Sequence, residues 1–130
     1  LRDIWRRYKA ITSNGVAYPV QCAAAAALTP QGRAGCRENI KYYLGNARIL
    51  RAALAARGIG SAPGGMSPYV WFRCPDGLSS WEFFDRLLDR ADIIGTPGSG
   101  FGAAGEGCFR FSAFCSRTAA MEAARRIKSL

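Results

Sequence analysis

The spacing of apolar and polar positions changes several times along this chain, and each change marks an element. Residues 2–11 mix basic and apolar side chains in the manner of a short basic helix. It is expected to end before Thr12-Ser13-Asn14-Gly15, a run of turn formers that makes Asn14 a loop residue. An alanine-rich helix follows Pro19 and continues to about Leu28. Thr29-Pro30 then supplies an N-cap and a proline at the first helical position. Beyond it, Ile40, Tyr43, Leu44, Ala47, Leu50 and Leu54 recur at three- and four-residue intervals until Arg57-Gly58. That pattern predicts one helix of roughly 27 residues, longer than most globular helices.

After residue 58 the period shortens. Residues 59–67 are rich in Gly, Ser and Pro and read as a loop or a short edge strand. Residues 68–74 carry Tyr69, Val70, Trp71 and Phe72 between turn signals, which predicts a central strand whose aromatics serve the core. Pro75-Asp76-Gly77 turns the chain. Ser79-Ser80-Trp81-Glu82 has the form of a capping box, opening a helix with Trp81, Phe84, Leu87 and Leu88 on its apolar face and an end near Arg90. Ile93 and Ile94 read as a short strand. Residues 108–114 alternate strictly, and Ser116 caps a last helix with Ala120, Met121, Ala124 and Ile127 as its buried stripe. The fold class is therefore α/β in the broad sense, α+β within this segment: a small, mostly antiparallel sheet packed with helices.

Candidate chemistry concentrates between residues 94 and 114. Glycines at 95, 98, 100, 102, 105 and 107 allow backbone conformations and close approaches that a Cβ forbids. This glycine-studded loop delivers Arg110 onto the alternating strand, where Arg110 and Ser112 share the face opposite Phe109 and Phe111. An arginine so placed wants an anion. On spacing alone, a structural ion pair or an exposed strand position would serve it equally. The loop is no dinucleotide fingerprint, since its spacing and its strand-then-helix context are wrong.

The sequence T-P-G-S-G-F-G followed by G-E-G-C-F-R-F-S-A-F resembles the C-terminal part of the LL-diaminopimelate aminotransferases, fold-type I pyridoxal-phosphate enzymes. The run at 64–88 and S-N-G-V-A-Y-P-V-Q at 13–21 are similar to earlier passages of the same family, in the same order. The resemblance implies that Arg110 grips the α-carboxylate of the amino-acid substrate. It also implies that Asn14 lies at the interface of a homodimer, reaching substrate and cofactor of the partner subunit. Residues 1–35 would be the end of the large cofactor-binding domain and residues 36–130 the C-terminal small domain, joined by the long linking helix. The implied reaction moves an amino group between LL-2,6-diaminopimelate and 2-oxoglutarate, with pyridoxal 5'-phosphate as cofactor, in lysine biosynthesis. Lys9, Lys41 and Lys128 lack the S-x-S-K-type context of the family's Schiff-base lysine, so no catalytic residue is assigned and the segment is read as a C-terminal fragment, inactive alone. The sequence departs from the family's pattern at Ala103-Ala104, Cys108 and Cys115, none of which touches the arginine. Another class I/II aminotransferase of different specificity, or a non-catalytic small-domain binding module, are the alternatives.

Composition narrows the field. The net charge is +9, yet the arginines are scattered along helices without an interleaved aromatic stripe, so nucleic acid is not an expected partner. There is no histidine, which removes Ser-His and Cys-His catalysis within this segment. The five cysteines have no C-x-x-C spacing, which argues against a zinc site and a disulfide framework. No apolar run approaches membrane-span length. The resemblance implies small amino-acid and 2-oxo-acid substrates as partners. The compartment cannot be read from the chain: cytoplasm in a bacterium, chloroplast stroma in an alga or plant.

Overall fold

The computed structural model describes residues 1–13 and 15–130. The chain divides into two compact units, residues 1–38 and 39–130. Asn14 lies outside the described residues.

In the first unit, α1 (Arg2–Thr12) and α2 (Tyr18–Leu28) have no buried side chain. Ile4, Trp5, Tyr8 and Ile11 all stand exposed on α1. Thr29 caps α3 (Pro30–Ala55) as expected, its Oγ1 accepting the Gly32 N–H at 3.0 Å. The helix has 26 residues, and the division between the units falls within it.

The second unit holds the core. Strand β1 (Tyr69–Arg73) pairs antiparallel with β3 (Cys108–Ser112), which also pairs antiparallel with the two-residue β2 (Thr96–Pro97). The order β1-β3-β2 makes β3 the central strand, where the sequence pointed to residues 68–74. The outer side of β1 is met by the bridge Ser61↔Phe72, the Ala62 N–H to Trp71 carbonyl bond of 2.7 Å and the Arg51 guanidinium on the Tyr69 carbonyl. Long-range pairing decides such an order, and alternation within one strand carries no trace of it. Val70, Phe72, Phe109 and Phe111 face inward, with Phe72 and Phe109 meeting Phe83 of α4 (Ser80–Ala91) at ring-centroid distances of 5.9 and 5.1 Å.

Three sequence expectations shift by a residue or more. On α4 the buried positions are Ser80, Phe83, Leu87 and Ala91, while Trp81 and Leu88 are exposed. Ser80, a polar residue that apolar periodicity overlooks, takes the inward position because its Oγ donates to the Cys108 carbonyl at 3.0 Å. Ile93 and Ile94 form no strand. Asp92, at φ 50°, ends α4 in the left-handed region, and the Ile93 N–H turns back to the Leu87 carbonyl at 3.2 Å. On α5 (Arg117–Lys128), Ala120, Ala124 and Ile127 are buried and Met121, one step round the helix, is exposed. The capping box of α4 forms in full, with Ser79 accepting from the Glu82 N–H and Glu82 accepting from the Ser79 N–H. Ser116 caps α5 through the Ala119 N–H at 3.1 Å.

Asn46 is the polar anchor of this core. Ile40 of the expected apolar stripe is exposed, whereas Asn46, absent from that stripe, is wholly buried. Its Nδ2 donates to the carbonyls of Ala113 at 3.2 Å and Cys115 at 2.7 Å, tying the chain after β3 to α3. Removing that donor strands the Cys115 carbonyl and leaves the Ala113 carbonyl with the Cys115 N–H alone. Asn46→Ala is expected to destabilise the protein by about 1–3 kcal/mol. Thermal unfolding followed by circular dichroism checks this, and an unchanged midpoint would contradict it.

Candidate anion-binding site

Arg110 is placed by the packing of its neighbours. Phe109 and Phe111 are buried, so the pleat turns Arg110 to the opposite face, across from Trp71 on one side and Thr96 on the other. Arg110 and Ser112 share that face, as the alternation predicted. The guanidinium carbon lies 4.4 Å from the Tyr69 ring centroid and 4.6 Å from that of Phe101. Among the described residues Arg110 has no carboxylate or carbonyl partner, and its Nε is buried without an acceptor. The cation therefore keeps its hydrogen-bonding capacity free.

It borders an open cavity of about 240 Å³ whose walls include Arg51, Pro63, Gly64, Ser67, Tyr69 and Trp71. Arg51 reaches from α3 and donates to the carbonyls of Ser67 at 3.3 Å and Tyr69 at 3.2 Å, holding the approach to β1. Two guanidinium groups at one opening favour an anionic ligand. A larger cleft of about 360 Å³, lined by Ile93, Gly95, Phe111, Cys115 and Ala123 among others, contains no cation and lacks that chemistry.

The glycine segment forms two short 3-10 turns, Gly98–Phe101 and Ala103–Gly105. They touch through backbone alone: a Cβ on Gly98 would fall onto the Gly105 carbonyl. Gly102, at φ 110°, sits directly after Phe101. The turns are locked by Glu106, whose Oε1 accepts from the Ser80 N–H at 2.8 Å and the Gly107 N–H at 3.0 Å. Those two backbone donors, Ser80 first, hold the Glu106 carboxyl below its usual range.

Sequence reasoning located Arg110 and missed its aromatic company. The signal was present, since Tyr69 and Trp71 alternate with the buried Val70 and Phe72 and so share a face with Arg110. Asn14, the other expected site residue, lies outside the described residues. All five cysteines are free, and no cluster of metal-ligating side chains occurs among the described residues. No helix is long and apolar enough to cross a membrane.

A family model described as aminotransferase class I and II matches residues 7–127. The chain belongs to that aminotransferase family. Among solved structures it is similar to the L,L-diaminopimelate aminotransferase from Chlamydomonas reinhardtii, with 41% identity and a TM-score of 0.90 over 96% of this chain and 30% of that one. A probable N-succinyldiaminopimelate aminotransferase from Thermus thermophilus matches at 32% identity and a TM-score of 0.59, over 68% of this chain and 23% of that one. An aromatic aminotransferase from Pyrococcus horikoshii matches at 28% and 0.73, over 82% and 29%. The chain thus spans about a third or less of the length of the aminotransferases it matches. Fold-type I enzymes are pyridoxal-phosphate dependent as a family. Lys9 and Lys128 stand exposed on α1 and α5.

The Glu106 lock has a pH signature. A carboxyl with a lowered value stabilises the fold fully above the usual carboxylate range and loses that contribution as pH falls through the lowered value. Glu106→Gln is therefore expected to lower the melting temperature most at neutral pH, with the gap to the parent protein closing in acid. Melting curves from neutral pH down to pH ~3 measure it. A gap independent of pH would exclude this role.

Proposed function

We propose that this chain is the C-terminal portion of an LL-diaminopimelate aminotransferase, with Arg110 as the residue that binds the substrate's α-carboxylate. The observation that carries this reading is a guanidinium without a protein anion, held at an open cavity on a segment 41% identical to such an enzyme. The reaction would transfer an amino group between LL-2,6-diaminopimelate and 2-oxoglutarate, giving tetrahydrodipicolinate and glutamate.

Arg110 would act by orientation. Its planar fork meets a carboxylate through two parallel hydrogen bonds, fixing both the position and the plane of that group. With the carboxylate held, the Cα–H bond is set at a defined angle in the site before any proton moves. Pyridoxal phosphate, when bound, supplies the electron sink for the charge developed at Cα. Both substrates of a transamination carry an α-carboxylate, so one arginine would serve both halves of the reaction. Asn14 would contribute to the partner subunit's pocket in a homodimer, with residues 1–35 belonging to the large domain and residues 36–130 forming the small one. The exposed apolar side chains of α1 support this assignment, because such faces suit burial against other protein surface.

A second reading keeps the mechanism and changes the side-chain specificity. It draws support from the matches to aminotransferases of other described substrates at 28–32% identity. A panel of amino donors tested on the full-length enzyme separates the two: preference for LL-diaminopimelate supports the first.

Arg110→Lys keeps the charge and loses the fork. In the full-length enzyme kcat/KM is expected to fall by about 2–5 kcal/mol of transition-state stabilisation, the scale for breaking a hydrogen-bonded charge pair. Unchanged efficiency would remove Arg110 from the site.

A further inference from the structure

We infer that Tyr69 and Phe101 are positioning residues that clamp Arg110 between two aromatic faces, so that only the edge of the guanidinium is offered to a carboxylate. This rests on the carboxylate-binding reading of Arg110.

The two rings come from different elements. Tyr69 belongs to β1, and Phe101 ends the first glycine turn. Each lies within cation–π range of the same guanidinium carbon, at 4.4 and 4.6 Å. Each is also braced from behind. Trp71, the cross-strand partner of Arg110, meets the Phe101 ring edge-on at 5.5 Å. Phe114 meets the Tyr69 ring in the same way at 5.6 Å, and Tyr43 of α3 lies 4.8 Å from Phe114. Gly102 takes a φ of 110° that side chains avoid, and so sets where Phe101 points.

The N–H donors of a guanidinium all lie in its plane, so rings over its faces leave them free to bond. Of these, Nε is buried and unpartnered, and among the described residues neither terminal nitrogen is held by a protein acceptor. A carboxylate would therefore bridge the two terminal nitrogens end-on. A free arginine side chain loses considerable rotamer freedom on binding, and one already clamped loses less. The clamp would thus improve affinity by preorganisation, without touching the ligand itself.

The test uses the full-length protein with Phe101→Leu, Tyr69→Leu, their aromatic counterparts Phe101→Tyr and Tyr69→Phe, and Arg110→Lys in parallel. Glutarate, a dicarboxylate that cannot react, serves as the binding probe. Each leucine variant is expected to weaken glutarate binding about 2- to 30-fold, the span of a surface-to-buried cation–π contact, while the aromatic variants retain parental affinity. A second readout needs no cofactor or turnover: the Arg110 side-chain proton resonances, shifted upfield by the two rings, should move back toward ordinary positions in the leucine variants. Parental glutarate binding and unmoved resonances in both leucine variants, with binding lost in Arg110→Lys, would overturn the clamp and leave the carboxylate site standing. Parental binding in Arg110→Lys would overturn the carboxylate site and this inference with it.

Discussion

The strict alternation of β3 in the middle of the sheet is the constraint from which the rest follows. Phe109 and Phe111 lie in the core against Phe72, and because side chains alternate, Arg110 can only face the other way. A slip of one residue would bury a guanidinium among phenylalanines and expose two rings, two large penalties of the same sign. Burial of the core and aim of the arginine are thus one requirement. With partners on both sides, β3 has no free edge along which to slip.

The glycine segment extends that constraint to the start of α4. Gly98 and Gly105 approach through their backbones, which leaves no room for a side chain at either. Glu106 and Ser80 then join the end of the segment to the first turn of α4, with the Ser80 hydroxyl donating to the Cys108 carbonyl as β3 begins. The helix N-terminus, the turns and the central strand are in this way tied into one body. Phe101 is carried at the tip of that body. Its position over Arg110 follows from backbone geometry rather than from burial, since Phe101 is itself exposed.

Local signals proved legible where a single element supplies its own logic. The caps at Thr29, Ser79 and Ser116, the long α3 and the face shared by Arg110 and Ser112 are all short-range patterns. What escaped was settled by distant partners. Ser80 and Asn46 face the core because carbonyls of residues 105–115 need their donors, and apolar periodicity cannot register a buried hydrogen bond. Strand order is likewise a long-range property, so β1 read as central when β3 occupies that place. The residue type of Tyr69 and Trp71 suits a core. Only their pairing register places them beside Arg110.

The neighbours of Arg110 would suit it to the proposed role of binding and releasing an anion. Three other arginines of the second unit are committed to protein anions: Arg86 to Asp76 at 2.7 Å, Arg125 and Arg126 to Glu122 at 2.6 and 2.8 Å. Such a carboxylate neutralises the cation and occupies the in-plane donors a ligand would need. An aromatic ring attracts the same cation through its face, by about 0.5–2 kcal/mol, and leaves charge and edge donors intact. Holding an arginine by rings therefore separates the two jobs of fixing its position and keeping its charge available. If Arg110 has the proposed role of binding one carboxylate, releasing it and then binding another, that separation would serve it, because no protein anion among the described residues would compete with the ligand at either step.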